Sequence, residues 1–269
     1  MTIDTTHGAS TAHRTAHAES GAGEPALLLL PGWCGDRTVF GGLLARLGTG
    51  RRCVAVDLPE HGESPRTGED FTVADVVDDA VALVDALGVD RVVPVTLAHA
   101  GWVAVELRRR LGPERVPGIV LVDWMVLGTP PGFDAALAGL QDDRAWADVR
   151  TALFGMWTQG VDEPAVHEYV ASMGEYDAAY WQRAGREIAA GFAADGAPLA
   201  ALDALAEPCP TLHLYAQPAD DAVLAAQQAF ADTHPWFEVH RVDARSHFPM
   251  FEVPDEMTVL VEEFACRLH

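Results

Sequence analysis

Three short segments of this chain carry residue types suited to acid–base chemistry. Ser246-His247-Phe248-Pro249 offers an imidazole in a turn, and Val122-Asp123-Trp124 offers a carboxylate directly after an apolar, β-branched run. A carboxylate bonded to one ring nitrogen holds a histidine in a single tautomer and leaves the other nitrogen free to act as a base. Asp220 and Asp221 are alternative partners for that imidazole. The third segment, Thr96-Leu97-Ala98-His99-Ala100-Gly101-Trp102, has the small residues required by a sharp strand-to-helix turn, the setting of a nucleophile elbow. Its central residue is Ala98, and a methyl group cannot attack a carbonyl, so a covalent acyl-enzyme route is closed. Cys34 follows the first strand-like run, where enzymes with such elbows place anion-stabilising amides. The backbone N–H groups of Trp33 and His99 form a candidate pair for that role. His99, Asp123 and His247 have no metal-ligand spacing and the glycines form no G-x-G-x-x-G fingerprint, so neither a metal nor a nucleotide cofactor is expected.

These residues need elements that end where they begin. Short runs rich in apolar residues predict strands over 26–30, 52–56, 92–96, 118–122 and 211–215, and a last strand is expected over 237–242. Pro94 inside one of them predicts a local irregularity. Val73, Val76, Val77, Ala80, Leu83, Val84 and Leu87 form the apolar stripe of a helix closed by Gly88, and further helices are expected over 102–111, 222–234 and 255–268. Strands alternating with helices predict a mostly parallel sheet flanked by helices, whose ligands bind beyond the carboxyl ends of the strands. An elbow after one strand and a histidine after the last make this an α/β-hydrolase fold. The strand signal vanishes over 129–208, which is helical and carries Trp146, Phe154, Trp157, Tyr180 and Trp181. That stretch reads as a helical cap inserted between two core segments, 25–128 and 209–269. Residues 1–24, rich in Thr, His, Ala, Ser and Gly and without an apolar core, read as a disordered tail and not as a secretory signal.

Composition narrows the partners. Asp plus Glu number 40 against 18 Lys plus Arg, a net charge of −22, which repels phosphate backbones and anionic lipids. No apolar run is long enough to cross a membrane. The four cysteines, Cys34, Cys53, Cys209 and Cys266, form no C-x-x-C pair, so reduced thiols in a cytoplasmic protein are expected, with Cys53 and Cys266 buried.

Leu30-Pro31-Gly32-Trp33-Cys34, Val122-Asp123-Trp124, His234-Pro235-Trp236-Phe237 and Ser246-His247-Phe248-Pro249 together resemble segments of the cofactor-free 2,4-dioxygenases, bacterial enzymes acting on 1H-3-hydroxy-4-oxoquinoline and 1H-3-hydroxy-4-oxoquinaldine. The similarity runs from about Ala26 to Phe264. The resemblance implies ring opening of a small aromatic N-heterocycle by O2 without metal or flavin, giving carbon monoxide and an N-acylanthranilate. It also implies His247 and Asp123 as the base pair, a substrate held by the backbone around Trp33, and His99 and Trp157 lining the reaction space. Met125 joins Trp33 and Trp157 in walling a dry pocket, and Cys34, Leu97, Ala98 and Phe248 complete the expected substrate contacts. A 3-hydroxy-4-quinolone is an acidic enol, imidazole is a suitable base for it, and the resulting anion is electron-rich enough to reduce O2 unaided. The sequence departs from the family at Ala98, where serine is usual, at Leu97, which a histidine can occupy, and at Gly35, which can be polar. The smaller, more apolar site suits a 2-alkyl chain as well as a 2-methyl group. The competing readings are a nucleophile-less homologue that binds a small molecule, and a lyase or hydrolase using water activated by His247. A monomer or homodimer fits all three.

Overall fold

The computed structural model describes residues 7–8 and 14–268. Among the described residues, eight strands form one sheet: β1 (His7–Gly8), β2 (His17–Ser20), β3 (Ala26–Leu30), β4 (Cys53–Val56), β5 (Val92–Leu97), β6 (Ile119–Val122), β7 (Thr211–Tyr215) and β8 (Phe237–Arg241). Their spatial order is β1-β2-β4-β3-β5-β6-β7-β8, and every pair from β4 to β8 is parallel. Strands β3 to β7 are buried along their whole length, as expected of a parallel sheet covered on both faces.

The expected tail needs correction. His17–Ser20 pairs antiparallel with Cys53–Val56, and Thr15, His17 and Ala18 are buried. A peripheral strand can be recruited through backbone hydrogen bonds alone, so its polar composition carried no signal. The rest of that expected tail, residues 1–6 and 9–13, lies outside the described residues. Pro94 does not interrupt its strand either. It pairs with Leu28 of β3 and stands one residue ahead of Val95↔Val120, where the β5–β6 ladder begins, so the missing N–H falls at the ladder's end.

Helices α1 (Gly41–Leu47), α2 (Val73–Ala86) and α3 (Gly101–Arg115) lie between the core strands. Thr72 and Asp75 form a reciprocal capping box at the start of α2, and its apolar stripe is buried through Val76, Val77, Ala80, Leu83 and Val84. Between β6 and β7 lie α4 (Phe133–Gln141), α5 (Trp146–Trp157), α6 (Pro164–Met173), α7 (Ala178–Asp195) and α8 (Pro198–Asp203). Their aromatic side chains reach the loops at the carboxyl ends of β3, β5 and β8: Tyr169 meets the loop after β3, Phe192 the His99 turn and Trp157 the His247 loop. Towards the C-terminus come α9 (Asp221–Ala231), α10 (Pro249–Glu252) and α11 (Pro254–Cys266). Cys266 is exposed, contrary to expectation, because it falls off the face of α11 that buries Met257, Val261, Phe264 and Ala265. Among the described residues, no helix is long and apolar enough to cross a membrane.

Candidate active site

β6 leaves the sheet at Asp123, whose φ is +48°. Neighbours hold this left-handed turn: Asp123 N donates to the Leu214 carbonyl at 2.8 Å and Trp124 N to His213 Nε2 at 3.3 Å. The Asp123 side chain is 1% exposed. Its Oδ1 accepts from the backbone N–H of Ala216 at 2.7 Å and of Gln217 at 2.9 Å, and its Oδ2 lies 2.6 Å from His247 Nδ1. A carboxylate only accepts, so Nδ1 carries a proton, and in the neutral ring Nε2 is the nitrogen with the lone pair. That Nε2 has no protein partner among the described residues, and it is not among the sealed polar atoms. Trp157 stacks on the imidazole at 5.0 Å and 16°, and its carbonyl accepts from His247 N at 3.3 Å. Phe248 meets both rings edge-on. The alternative carboxylates are engaged elsewhere: Asp220 caps α9 through Ala222 N, and Asp221 pairs with Arg241.

The elbow keeps its shape without a nucleophile. Ala98 has φ +49° and is 7% exposed. A Cβ on Gly101 would overlap the Trp124 ring, so glycine here lets that indole press against the elbow. Trp124 Nε1 donates to His99 Nδ1 at 3.1 Å. An indole N–H cannot accept, so His99 is neutral with its proton on Nε2. Burial, with a smaller contribution from the nearby His247, drives the His99 pKa down to about 3. This Nε2–H also lacks a protein partner among the described residues without being sealed. Phe133 stacks on the ring at 5.6 Å and Phe192 meets it edge-on at 5.7 Å. The site therefore offers one imidazole lone pair, on His247, and one imidazole N–H, on His99.

The loop after β3 abuts the elbow, since a Cβ on Gly32 would lie 3.6 Å from the Leu97 carbonyl. Leu97 is buried there against Gly32, and Met125 stands partly exposed in the turn after Trp124. Trp33 stacks on Phe71 at 5.6 Å, and the Arg183 guanidinium of α7 lies 4.3 Å over Phe71. Cys34 has φ +57° and is fully buried, and burial pushes its thiol well above the usual range. Its N–H donates to His61 Nε2 at 3.2 Å, while His61 Nδ1–H donates to the Pro59 carbonyl at 2.7 Å. Burial lowers the His61 pKa to about 4, consistent with this neutral form. The N–H groups of Trp33 and His99 have no backbone acceptor among the described residues.

Residues 27–258 match the model of the alpha/beta hydrolase family. The chain is 36% identical over 241 residues to the 2-heptyl-3-hydroxy-4-quinolone dioxygenase AqdC1 of Rhodococcus erythropolis, covering 90% of this chain and 86% of that one. It is 34% identical to the 2-heptyl-3-hydroxy-4(1H)-quinolone dioxygenase of Mycobacteroides abscessus, covering 96% and 95%. A solved structure of an AqdC variant with its substrate, described as recognising and cleaving the ring of the Pseudomonas quinolone signal, matches with a TM-score of 0.91 at 32% identity over 97% of this chain and 99% of that one. The chain belongs to the 3-hydroxy-4-quinolone dioxygenase family. Within this dioxygenase, His247, Asp123, Trp157 and Phe248 gather into one cluster. His99 is tied to Trp124, and Gly32, next to Trp33 in the loop after β3, lies against Leu97.

Gly35, a departure from the family pattern, has a structural account. The Tyr169 hydroxyl accepts from Asp36 N at 3.0 Å and donates to the Asp36 carbonyl at 3.2 Å, and a Cβ on Gly35 would overlap it. Sequence reasoning missed three residues around this dioxygenase site, His61, His213 and Tyr169, and gave Trp124 no role of its own. Trp124 stands inside the Val122-Asp123-Trp124 motif, next to the carboxylate that drew attention to it. His213 left a signal of its own, an imidazole in an otherwise apolar strand. Nothing in the local sequence marked His61 or Tyr169, whose partners lie 27 and 133 residues away.

Proposed function

We propose that this dioxygenase opens the heterocycle of 2-alkyl-3-hydroxy-4(1H)-quinolones with O2, with His247 as general base and Asp123 as its orienting carboxylate. The observation that carries the proposal is the 2.6 Å contact between His247 Nδ1 and Asp123 Oδ2, combined with an unpartnered, accessible Nε2. In a hydrolase, that nitrogen would be occupied by the elbow serine. Ala98 leaves it for the substrate.

His247 takes the proton of the 3-hydroxyl, and positioned bases of this kind contribute about 10²–10⁴-fold. The anion gives its electrons to O2, which bonds at C2 and closes onto C4. Breaking O–O, C2–C3 and C3–C4 then releases C3 with its oxygen as carbon monoxide. One atom of O2 remains in the new amide carbonyl and the other in the carboxylate of the N-acylanthranilate, so atoms and electrons balance without an external reductant. The His99 Nε2–H donates to a substrate oxygen as negative charge builds, and it costs no reorganisation because Trp124 has already set the tautomer. Trp157, stacked on the base, and Trp33 exclude water from the peroxide. Partners are the quinolone and O2 in a cytoplasmic setting. The net charge of −22 argues against nucleic acid and anionic membrane surfaces.

The deciding assay follows 2-heptyl-3-hydroxy-4-quinolone absorbance in chelator-treated buffer, with and without O2, with carbon monoxide trapped. Turnover only with O2, lost in His247→Ala, is the expected result. Product formed anaerobically would assign the site to hydrolysis or lyase chemistry. Tight binding without turnover would make the protein a receptor.

A further inference from the structure

We propose that His213, locked by Gln227, is a positioning residue shared by both working imidazoles. The β6–β7 ladder stops at Val122↔Leu214, and the chain then turns away at Asp123 with φ +48°. The His213 side chain supplies the acceptor for the next amide, Trp124 N–H, at 3.3 Å through Nε2.

The polarity of this contact is fixed. A backbone N–H only donates, so His213 Nε2 is bare and Nδ1 carries the proton. Nδ1–H donates to Gln227 Oε1 of α9 at 2.6 Å. His213 is fully buried and Gln227 is 2% exposed, and Tyr215 stacks on the imidazole at 5.2 Å. A buried imidazole with both nitrogens committed is a rigid strut, not a titrating group.

The peptide held by that strut joins two functional arms. On one side is Asp123, whose carboxylate orients His247. On the other is Trp124, whose indole fixes the His99 tautomer. Displacing one amide therefore disturbs the base and the donor together. The inference rests on the proposal that these two imidazoles face the substrate, but the hydrogen-bond relay itself can be tested without turnover.

His213→Phe keeps a ring but removes the acceptor. His213→Gln returns a carbonyl oxygen near the position of Nε2, and Gln227→Leu unlocks the imidazole while leaving it in place. In His213→Phe, kcat for 2-heptyl-3-hydroxy-4-quinolone is expected to fall roughly ten- to a hundredfold while KM stays nearly constant, because geometry is lost and not affinity. His213→Gln should recover most of it. In substrate-free protein, ¹⁵N-histidine NMR should show both the His99 and the His247 ring resonances displaced in His213→Phe and Gln227→Leu, and restored in His213→Gln. Unchanged His99 and His247 resonances in folded His213→Phe would overturn the proposal, as would a His213→Gln protein impaired as badly as His213→Phe. Should His213→Phe fail to fold, unchanged resonances in Gln227→Leu would overturn it equally. Absence of quinolone turnover in the unmodified protein would remove the functional reading alone, and the NMR would still test the relay.

Discussion

Replacing Asp123 with asparagine separates the charge of this residue from its shape. The two backbone N–H groups of Ala216 and Gln217, at 2.7 and 2.9 Å, both point at Oδ1. They donate and need an oxygen there, so the asparagine carbonyl must take that place and its NH2 must face His247. The imidazole then turns its lone pair to the amide and its proton to the substrate, the tautomer that cannot act as a base. Restoring the working tautomer sets Nδ1–H against N–H. It forfeits a hydrogen bond to a charged group, about 1.5–3 kcal/mol, and leaves a buried donor unmatched, about 1–3 kcal/mol more. Together these predict a loss of roughly 10²- to 10⁴-fold in kcat at neutral pH. The measurement is steady-state, O2-dependent loss of quinolone absorbance, with KM followed in parallel. In alkaline buffer, where solvent removes the substrate proton, the deficit should narrow. An Asp123→Asn protein with full kcat at neutral pH would refute the assignment of His247 as the base. A deficit that stays constant into alkaline buffer would show that Asp123 does something other than orient a proton acceptor.

The remaining predictions concern stability and reactivity. Burial depresses the pKa of His61 to about 4, of His99 to about 3 and of His213 to about 4, against 6.5 in the unfolded chain. Unfolding therefore takes up protons below pH 6.5: stability is complete above that pH and falls as pH drops towards 4. Each histidine contributes about 1.4 kcal/mol per pH unit, roughly 4 kcal/mol per unit for the three. Denaturant midpoints between pH 6.5 and 4.5 should show this slope, reduced by about a third in His213→Gln, and a flat profile would contradict the burial of these rings. Burial also raises the thiols of Cys34, of Cys53 to about 12 and of Cys209 to about 11, while Cys266 is exposed. Iodoacetamide at pH 8 should therefore alkylate the native protein at Cys266 alone by peptide mass spectrometry; modification of Cys34 would show an open loop after β3. Gly35→Ser places a side chain on the Tyr169 hydroxyl. It should cost about 1–3 kcal/mol and lower Tm by roughly 2–8 °C in a thermal-shift assay. An unchanged Tm would mean that Tyr169 is free to move.

The sequence by itself determined the parts of this protein that depend on local chemistry. Runs of five mostly apolar residues ending near Gly, Asp or small residues marked the buried parallel strands β3 to β7. Ala98 at the centre of a small-residue turn removed the nucleophile, because that loss is a matter of residue type and not of geometry. The motifs around Trp33, Asp123 and His247 marked the ends of three different strands. The residues themselves left Asp123 and the Asp220–Asp221 pair as alternatives; that Asp123 is the carboxylate in contact with His247 is a tertiary fact, because proximity across 124 residues has no local signature. Tertiary structure also recruited His17–Ser20 to pair with β4, since pairing of that kind is made by backbone groups common to every residue. It also set the direction of each proton. Which nitrogen of His247, His99, His61 or His213 is bare follows from whether a carboxylate, an indole, a backbone amide or a carbonyl lies opposite, and that partner comes from another element of the fold in most cases.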